Sequence, residues 1–172
     1  MELSRWKNIF KKEEEDADII EIIKKVPLFD YLNKKELTKI SHIVYAREYK
    51  AEEYLFKEGT PGSALFIIKT GNVSIEKISE NGETLVLASI SEEDFLGELS
   101  LLNEIPRSAS ARCKTITKAV VLFKHELFEL IKSEPRTGIK ILKNLAMMTG
   151  KRLVSTTNEL ITCKKLLEGS NE

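Results

Sequence analysis

The sequence predicts a mainly β fold, a small barrel or sandwich flanked by helices and followed by one long helix. Three observations carry this reading. Short apolar runs separated by turn residues recur from Tyr45 to Phe123, helical spacing precedes them from Ser4 to about Val44, and helical spacing returns at His125 and continues to about Leu167. Several short strands at such spacing mark a closed or two-layered β structure.

In the N-terminal region Trp6, Ile9 and Phe10 lie at helical spacing, and Ile19, Ile20, Ile22 and Ile23 crowd the next stretch. Asp16 and Asp18 sit where acidic residues favour a helix start, and Lys24 and Lys25 where basic ones favour its end. Pro27 interrupts, and Leu37, Ile40, Ile43 and Val44 mark a further short helix. Among the β-runs, Leu65-Phe66-Ile67-Ile68 is closed by Gly71, and Val73-Ser74-Ile75-Glu76-Lys77 alternates apolar and polar, the period of a half-buried strand. Asn81-Gly82 predicts a hairpin, since both residues tolerate positive φ, and Thr84-Leu85-Val86-Leu87 returns beside it. Glu126 to Lys132 reads as a short helix ending before Pro135. Arg136 to about Leu167 then reads as one helix, roughly 45 Å long at 1.5 Å per residue. Gly138 and Gly150 weaken it by about 1 kcal/mol each relative to alanine. The expected organisation is a helical extension over 1–15, a domain of helices and barrel over 16–135, and the long helix over 136–172.

Composition removes several function classes. The 172 residues suit one domain, and 42% hydrophobic with 31% charged residues argues against wholesale disorder. The 27 basic and 27 acidic side chains cancel, whereas a dedicated nucleic-acid binder advertises a basic excess. Apolar runs such as Ala119–Phe123 fall far short of the roughly 18 residues a membrane span requires. The N-terminus has no apolar stretch of secretory length, and Cys113 and Cys163 fit neither a disulfide framework nor a zinc spacing. A cytoplasmic protein with reduced thiols is therefore expected. His42 and His125 lie far apart, and no nucleophile–base arrangement, phosphate-binding glycine loop or metal-ligand spacing is present in the sequence. The reading is not an enzyme, and no metal.

The long helix carries a seam. Leu142, Thr149, Thr156 and Cys163 recur every seven residues, and Ile139, Ala146, Leu153, Leu160 and Leu167 form a second such row offset by four. This is the a/d pattern of helix-on-helix pairing and predicts a homodimer. Packing on the chain's own barrel is the alternative, and two threonines and a cysteine in one row ask for polar partners on a buried seam.

The segment Phe95-Leu96-Gly97-Glu98-Leu99-Ser100-Leu101-Leu102, followed by Asn103-Glu104-Ile105 and Pro106-Arg107-Ser108-Ala109-Ser110-Ala111, concentrates the chemistry. Gly97 lets backbone N–H groups come close to a ligand, and a helical turn from Glu98 to Leu102 points its first N–H groups at an anion. Arg107 brings a guanidinium suited to phosphate, and Glu98 requires a hydroxyl or a cation. An anion and a hydroxyl read together describe a ribose phosphate. A structural Glu98–Arg107 ion pair without ligand is the competing reading.

The glycine–glutamate turn, the nine-residue step from Glu98 to Arg107 and the Pro-Arg-Ser-Ala run resemble the phosphate-binding cassette of cyclic-nucleotide-binding domains. Pro27-Leu28-Phe29, Gly59 and Gly62 around a turn, and Gly71-Asn72-Val73 extend the resemblance to about Ile19–Leu167. The resemblance implies an eight-stranded jelly-roll β-barrel flanked by helices and holding cAMP or cGMP. It implies that Gly97 and Leu99 offer backbone N–H groups, that Glu98 accepts from the ribose 2′-hydroxyl, and that Arg107, helped by Ser108 and Ala109, pairs with the cyclic phosphate. Ile75 and Leu87 fall where relatives line the cavity. In relatives of the catabolite-activator kind a basic-Arg-Leu triplet on the long helix precedes a hydroxyl pair that reaches the base. Lys151-Arg152-Leu153 and Thr156-Thr157 stand there, one threonine serving the partner subunit and Arg152 within reach of Glu98.

Members that prefer cGMP often carry threonine after the cassette arginine, and this chain has Ser108, so cAMP is favoured. Two departures stand out. Glu93 occupies a position where the family often has glycine, and the chain stops at Glu172, before a helix-turn-helix of the catabolite-activator kind. With zero net charge, direct DNA binding is not expected. The function expected is a cAMP-favouring regulatory protein that senses ligand in the barrel and signals through its C-terminal helix to an unidentified effector protein in trans. The alternative is a nucleotide-independent dimerisation or docking module on the same fold.

Overall fold

A computed structural model describes residues 17–169 of the chain. Residues 17–23 are helical (α1), a 3-10 turn spans Pro27–Phe29, and α2 covers Lys34–Ser41. Eight strands follow: β1 Val44–Tyr49, β2 Tyr54–Phe56, β3 Ala64–Thr70, β4 Val73–Ile78, β5 Thr84–Ile90, β6 Phe95–Leu96, β7 Ser110–Cys113 and β8 Thr117–Phe123. A four-residue helix, α3 (Leu99–Leu102), lies between β6 and β7, and α4 (Lys124–Ser133) and α5 (Pro135–Gly169) close the chain. The face formed by Trp6, Ile9 and Phe10, and the extension over 1–15, lie outside the described residues.

The strands form two antiparallel sheets of four, in the orders β1-β8-β3-β6 and β2-β7-β4-β5. This is the expected eight-stranded jelly roll. The two continuous apolar runs of the sequence are the strands buried on both faces. From β3 and β8, Leu65, Ile67, Val120 and Leu122 turn outward into a core shared with Ile23, Val26, Leu28, Ile40, Leu127, Ile141 and Leu145 of the helices. The alternating residues Ala64, Phe66, Ile68, Ala119 and Val121 turn inward and meet Val73, Ala111 and Cys113 between the sheets.

Three local expectations are refined. The short helix expected to include Ile43 and Val44 ends at Ser41, because the β-branched Val44 pairs with Leu122 and opens β1. The polar positions of β4 do not face water: Ser74 and Glu76 are both buried, with Ser74 Oγ donating to Glu76 Oε1 at 2.5 Å. Arg112 lies opposite Ser74 across the β4–β7 ladder. Glu93, at the position where the resemblance leads one to expect glycine, has a glycine-like backbone at φ 68°. Its N–H donates to the Ile68 carbonyl at 2.9 Å, and its carboxylate accepts from Lys25 Nζ at 2.6 Å. The hairpin at Asn81-Gly82 forms as expected, with Gly82 at φ 83°.

Helix α5 is 35 residues long and behaves as two halves. Its first half is anchored. Ile141 and Leu145 enter the core, and Asn144 Nδ2 donates to the carbonyls of Leu28 and Asp30 at 3.1 and 2.9 Å. A Cβ on Gly138 would stand 2.6 Å from Ile131 Cγ1, so glycine is what lets α5 close against α4. From Gly150 to Glu168 every residue is exposed, including Leu153, Leu160 and Leu167 of the heptad seam.

One polar junction ties α5 to α2. Asn33 and Glu36 form a reciprocal capping box at the start of α2, and Glu36 also accepts from Lys140 Nζ at 2.8 Å and from Thr137 Oγ1 at 3.2 Å. The Lys140 hydrogen bond, against a smaller opposing effect of burial, holds the Glu36 carboxyl below its usual value. A lowered folded-state pKa adds stability in full above the unfolded value of about 4.3, and that stability is lost as the pH falls through the folded one. Glu36→Gln should lower the unfolding free energy at neutral pH by about 1 kcal/mol and flatten its decline below pH 4–5. Urea titrations across that range check this, and an unchanged acid limb would contradict it.

Candidate functional site

The cassette is assembled around Arg107, which lies on the loop between α3 and β7. The loop between β2 and β3 holds its backbone: Arg107 N donates to Thr60 O and Gly59 N donates to Arg107 O, both at 2.9 Å. Arg107 is buried, at 7% exposure. It stacks over Phe56 at 4.0 Å from the ring centroid and donates to Ala64 O at 2.7 Å and Gly97 O at 3.3 Å. Its Nε is buried with no hydrogen-bond partner. Burial pushes the Arg107 pKa down, and the charge of Glu98 works in the opposite direction.

Glycines make room for this side chain. Gly97 sits at φ 82°, and a Cβ there would stand 2.5 Å from Arg107 Nη1 and 3.0 Å from Ala64 O. A Cβ on Gly62 would stand 3.2 Å from Arg107 Nε and collide with Ser100 Oγ at 2.0 Å.

Glu98 is also buried, but its ion-pair partner is not Arg107. Arg152, reaching in from α5, donates from Nη1 to Glu98 Oε1 at 2.7 Å and from Nη2 to Phe95 O at 2.9 Å, with its guanidinium 4.4 Å from the Phe95 ring centroid. Among the described residues Arg107 has no carboxylate within ion-pair distance, so a closed Glu98–Arg107 pair is not what the charges form.

A cavity of about 550 Å³ opens beside these groups. Gly97, Glu98, Leu99, Arg107, Ser108 and Ala109 line one side, Ile75 and Leu87 an apolar side, and Arg152 and Thr156 the side given by α5. Ten of the eleven residues singled out in the sequence thus share one cavity. The eleventh, Thr157, does not line it, and its hydroxyl donates to Leu153 O at 2.8 Å. Sequence reasoning missed Phe56, Ser155 and Glu159, which also line the cavity. The last two lie three and seven residues after Arg152, a helical spacing that would have placed them on its face.

Chemically, the buried cation with a spare donor and the start of α3 suit an anion, Glu98 suits a hydroxyl, and Ile75 and Leu87 offer an apolar wall. Among the described residues no His, Cys, Asp and Glu group suited to a metal occurs, and no helix is long and apolar enough to cross a membrane.

The close approach at Gly97 generates a test. Gly97→Ala adds a clash with Arg107 to the left-handed backbone strain, whereas Gly82→Ala, at φ 83° with nothing within 4 Å of its Cβ, adds strain alone. Gly82→Ala should lose about 1 kcal/mol of stability and Gly97→Ala clearly more, measured by urea denaturation. Equal losses would contradict the packing assigned to Arg107.

Comparison with known proteins agrees with the geometry. The family described as "Cyclic nucleotide-binding domain" matches residues 46–134, just over half of the chain. A putative potassium channel protein of Rhodopseudomonas palustris is 31% identical over 77% of this chain and 32% of its own length. The cyclic AMP receptor protein of Thermus thermophilus is 31% identical over 78% of this chain and 60% of its own. This chain therefore spans less than two-thirds of either relative. Among solved structures, a cyclic nucleotide-binding domain from Methylobacillus flagellatus superposes with a TM-score of 0.76 at 26% identity, covering 86% of this chain and 83% of that one. With its cassette residues gathered in the barrel of that fold, the chain belongs to the cyclic nucleotide-binding domain family.

Proposed function

We propose that this chain is a cytoplasmic sensor of a cyclic nucleotide, cAMP ahead of cGMP, and that it regulates an effector protein through α5. One observation carries the reading: Arg107 is buried in the barrel with an unpartnered Nε beside a cavity that also holds Glu98. A buried cation without a carboxylate partner is costly unless an anion answers it. The cyclic phosphate would do so, accepting from Arg107 and from the N–H groups of Gly97 and Leu99, with Ser108 and Ala109 closing round it. Glu98 would accept from the ribose 2′-hydroxyl. The base would lie against Ile75 and Leu87, beside Thr156.

Output would run through α5. Arg152 binds that helix to Glu98, so a ligand hydroxyl arriving at Glu98 acts on a group α5 already holds. The exposed seam of Ile139, Leu153 and Leu160 supports pairing with a second copy, in which Thr157 would serve the partner's cavity. Differential affinity of ligand for two α5 arrangements would make the pair a switch. The Thermus thermophilus relative, named a cyclic AMP receptor protein, supports the choice of ligand class.

Titration calorimetry with cAMP and then cGMP, on protein freed of copurified nucleotide, tests the proposal. Saturable binding, tighter for cAMP, is expected. Arg107→Ala should lose about 2–5 kcal/mol, or roughly 1.5 to 3.5 decades in affinity. Silence from both nucleotides in the wild-type chain would overturn the proposal in favour of a dimerisation or docking module.

A further inference from the structure

We propose that Glu159, oriented by Ser155, selects the base in the cavity by accepting a hydrogen bond from the 6-amino group of adenine. The proposal rests on the assignment of the cavity to a cyclic nucleotide and names the residue that sets its base specificity.

The α5 side of the cavity is a graded stripe. Arg152, Ser155, Thr156 and Glu159 all line it, at spacings of three, four and seven residues that share one helix face. Arg152 is pinned at the cassette end by Glu98 and the Phe95 carbonyl. Glu159 stands seven residues further on, about 10 Å along the axis at 1.5 Å per residue. In the proposed pose the phosphate sits at Arg107 and the base beside Thr156, which lies between Arg152 and Glu159 on this stripe, so the base points toward the Glu159 end.

Two features make Glu159 more than a solvated acid at the rim. Ser155 Oγ donates to Glu159 Oε1 at 3.2 Å, which orients the carboxylate and leaves its second oxygen available. Among the described residues no lysine or arginine lies within ion-pair distance of it, so its charge is not consumed by a cation.

The donor inventory then decides the selectivity. A hydroxyl such as that of Thr156 can donate or accept, so it accommodates either substituent at the 6-position of a purine. A carboxylate only accepts. The 6-amino group of adenine supplies the donor it needs, whereas the 6-oxygen of guanine or hypoxanthine, in the same pose, would meet it acceptor to acceptor. Thr156 therefore tolerates the substituent that Glu159 selects.

The test is competition titration of the full chain with cAMP, cGMP and inosine 3′,5′-cyclic monophosphate, which replaces the 6-amino group by oxygen. Glu159 is exposed, so Glu159→Gln and Glu159→Ala leave the fold in place. The wild-type chain should prefer cAMP over the inosine analogue by about tenfold to a hundredfold. Glu159→Gln, whose amide can donate to a 6-oxygen, should bring that ratio to about one, with Glu159→Ala between. An unchanged ratio in both variants, with cAMP still bound, would overturn the role of Glu159 and leave the cavity assignment standing. A wild-type preference for cGMP that disappears in Glu159→Gln would overturn it differently, showing that the carboxylate reads the paired ring and amino donors of guanine. Failure of the wild-type chain to bind any of the three would overturn the cavity assignment and the proposal with it.

Discussion

Arg107 carries a full positive charge into a barrel interior where two carbonyl oxygens, two aromatic rings and a carboxylate outside ion-pair distance answer it. Burying an ion of this size costs several kcal/mol even after relaxation, and hydrogen bonds to carbonyls recover only part of that. The features around it follow from the need to hold the guanidinium still. Gly97 and Gly62 remove side chains that would displace it, Phe56 lies flat beneath it, and the turn after β2 clamps its backbone from both sides. Of the five N–H donors of the guanidinium, the Ala64 and Gly97 carbonyls take two, and the buried Nε–H has no acceptor among the described residues.

The second buried charge works differently. Glu98 is neutralised by Arg152, a residue that arrives from a helix and not from the barrel. The pair therefore joins two parts of the chain that have separate packing. The first half of α5 is fixed by Asn144, Ile141 and Leu145, whereas the described residues from Gly150 to Glu168 are exposed, with Arg152 reaching back to Glu98 and Phe95. Stability is distributed along the helix accordingly, with the exposed half from Gly150 onward the less constrained. This division gives one helix an anchored start and an exposed continuation.

Much of this was legible in the sequence. The runs at Leu65–Ile68 and Ala119–Phe123, the Asn81-Gly82 hairpin and the long helix after Pro135 all form, because each is set by local pattern or turn chemistry. The cassette was legible because its residues lie close together in the chain. The misreadings share one cause, namely partners distant in sequence. The alternation in β4 gave no sign that Ser74 and Glu76 would be buried, with Ser74 opposite Arg112, which arrives 38 residues later. Val44 continued an apolar helical spacing until its pairing with Leu122 drew it into β1. Phe56 was invisible as a site residue because nothing local marks an aromatic ring that will lie under an arginine from a distant loop.

The most direct test of the account is the state of the Arg107 Nε–H. Nitrogen-15 spectra of the arginine side chains, assigned with Arg107→Lys, report whether that proton is bonded and protected from exchange. With cAMP added, the Arg107 Nε–H resonance should move downfield and its exchange with water should slow, as the phosphate accepts from a nitrogen that has no protein acceptor. Nucleotide binding that leaves this resonance and its exchange unchanged would contradict the claim that the buried guanidinium is the anion site.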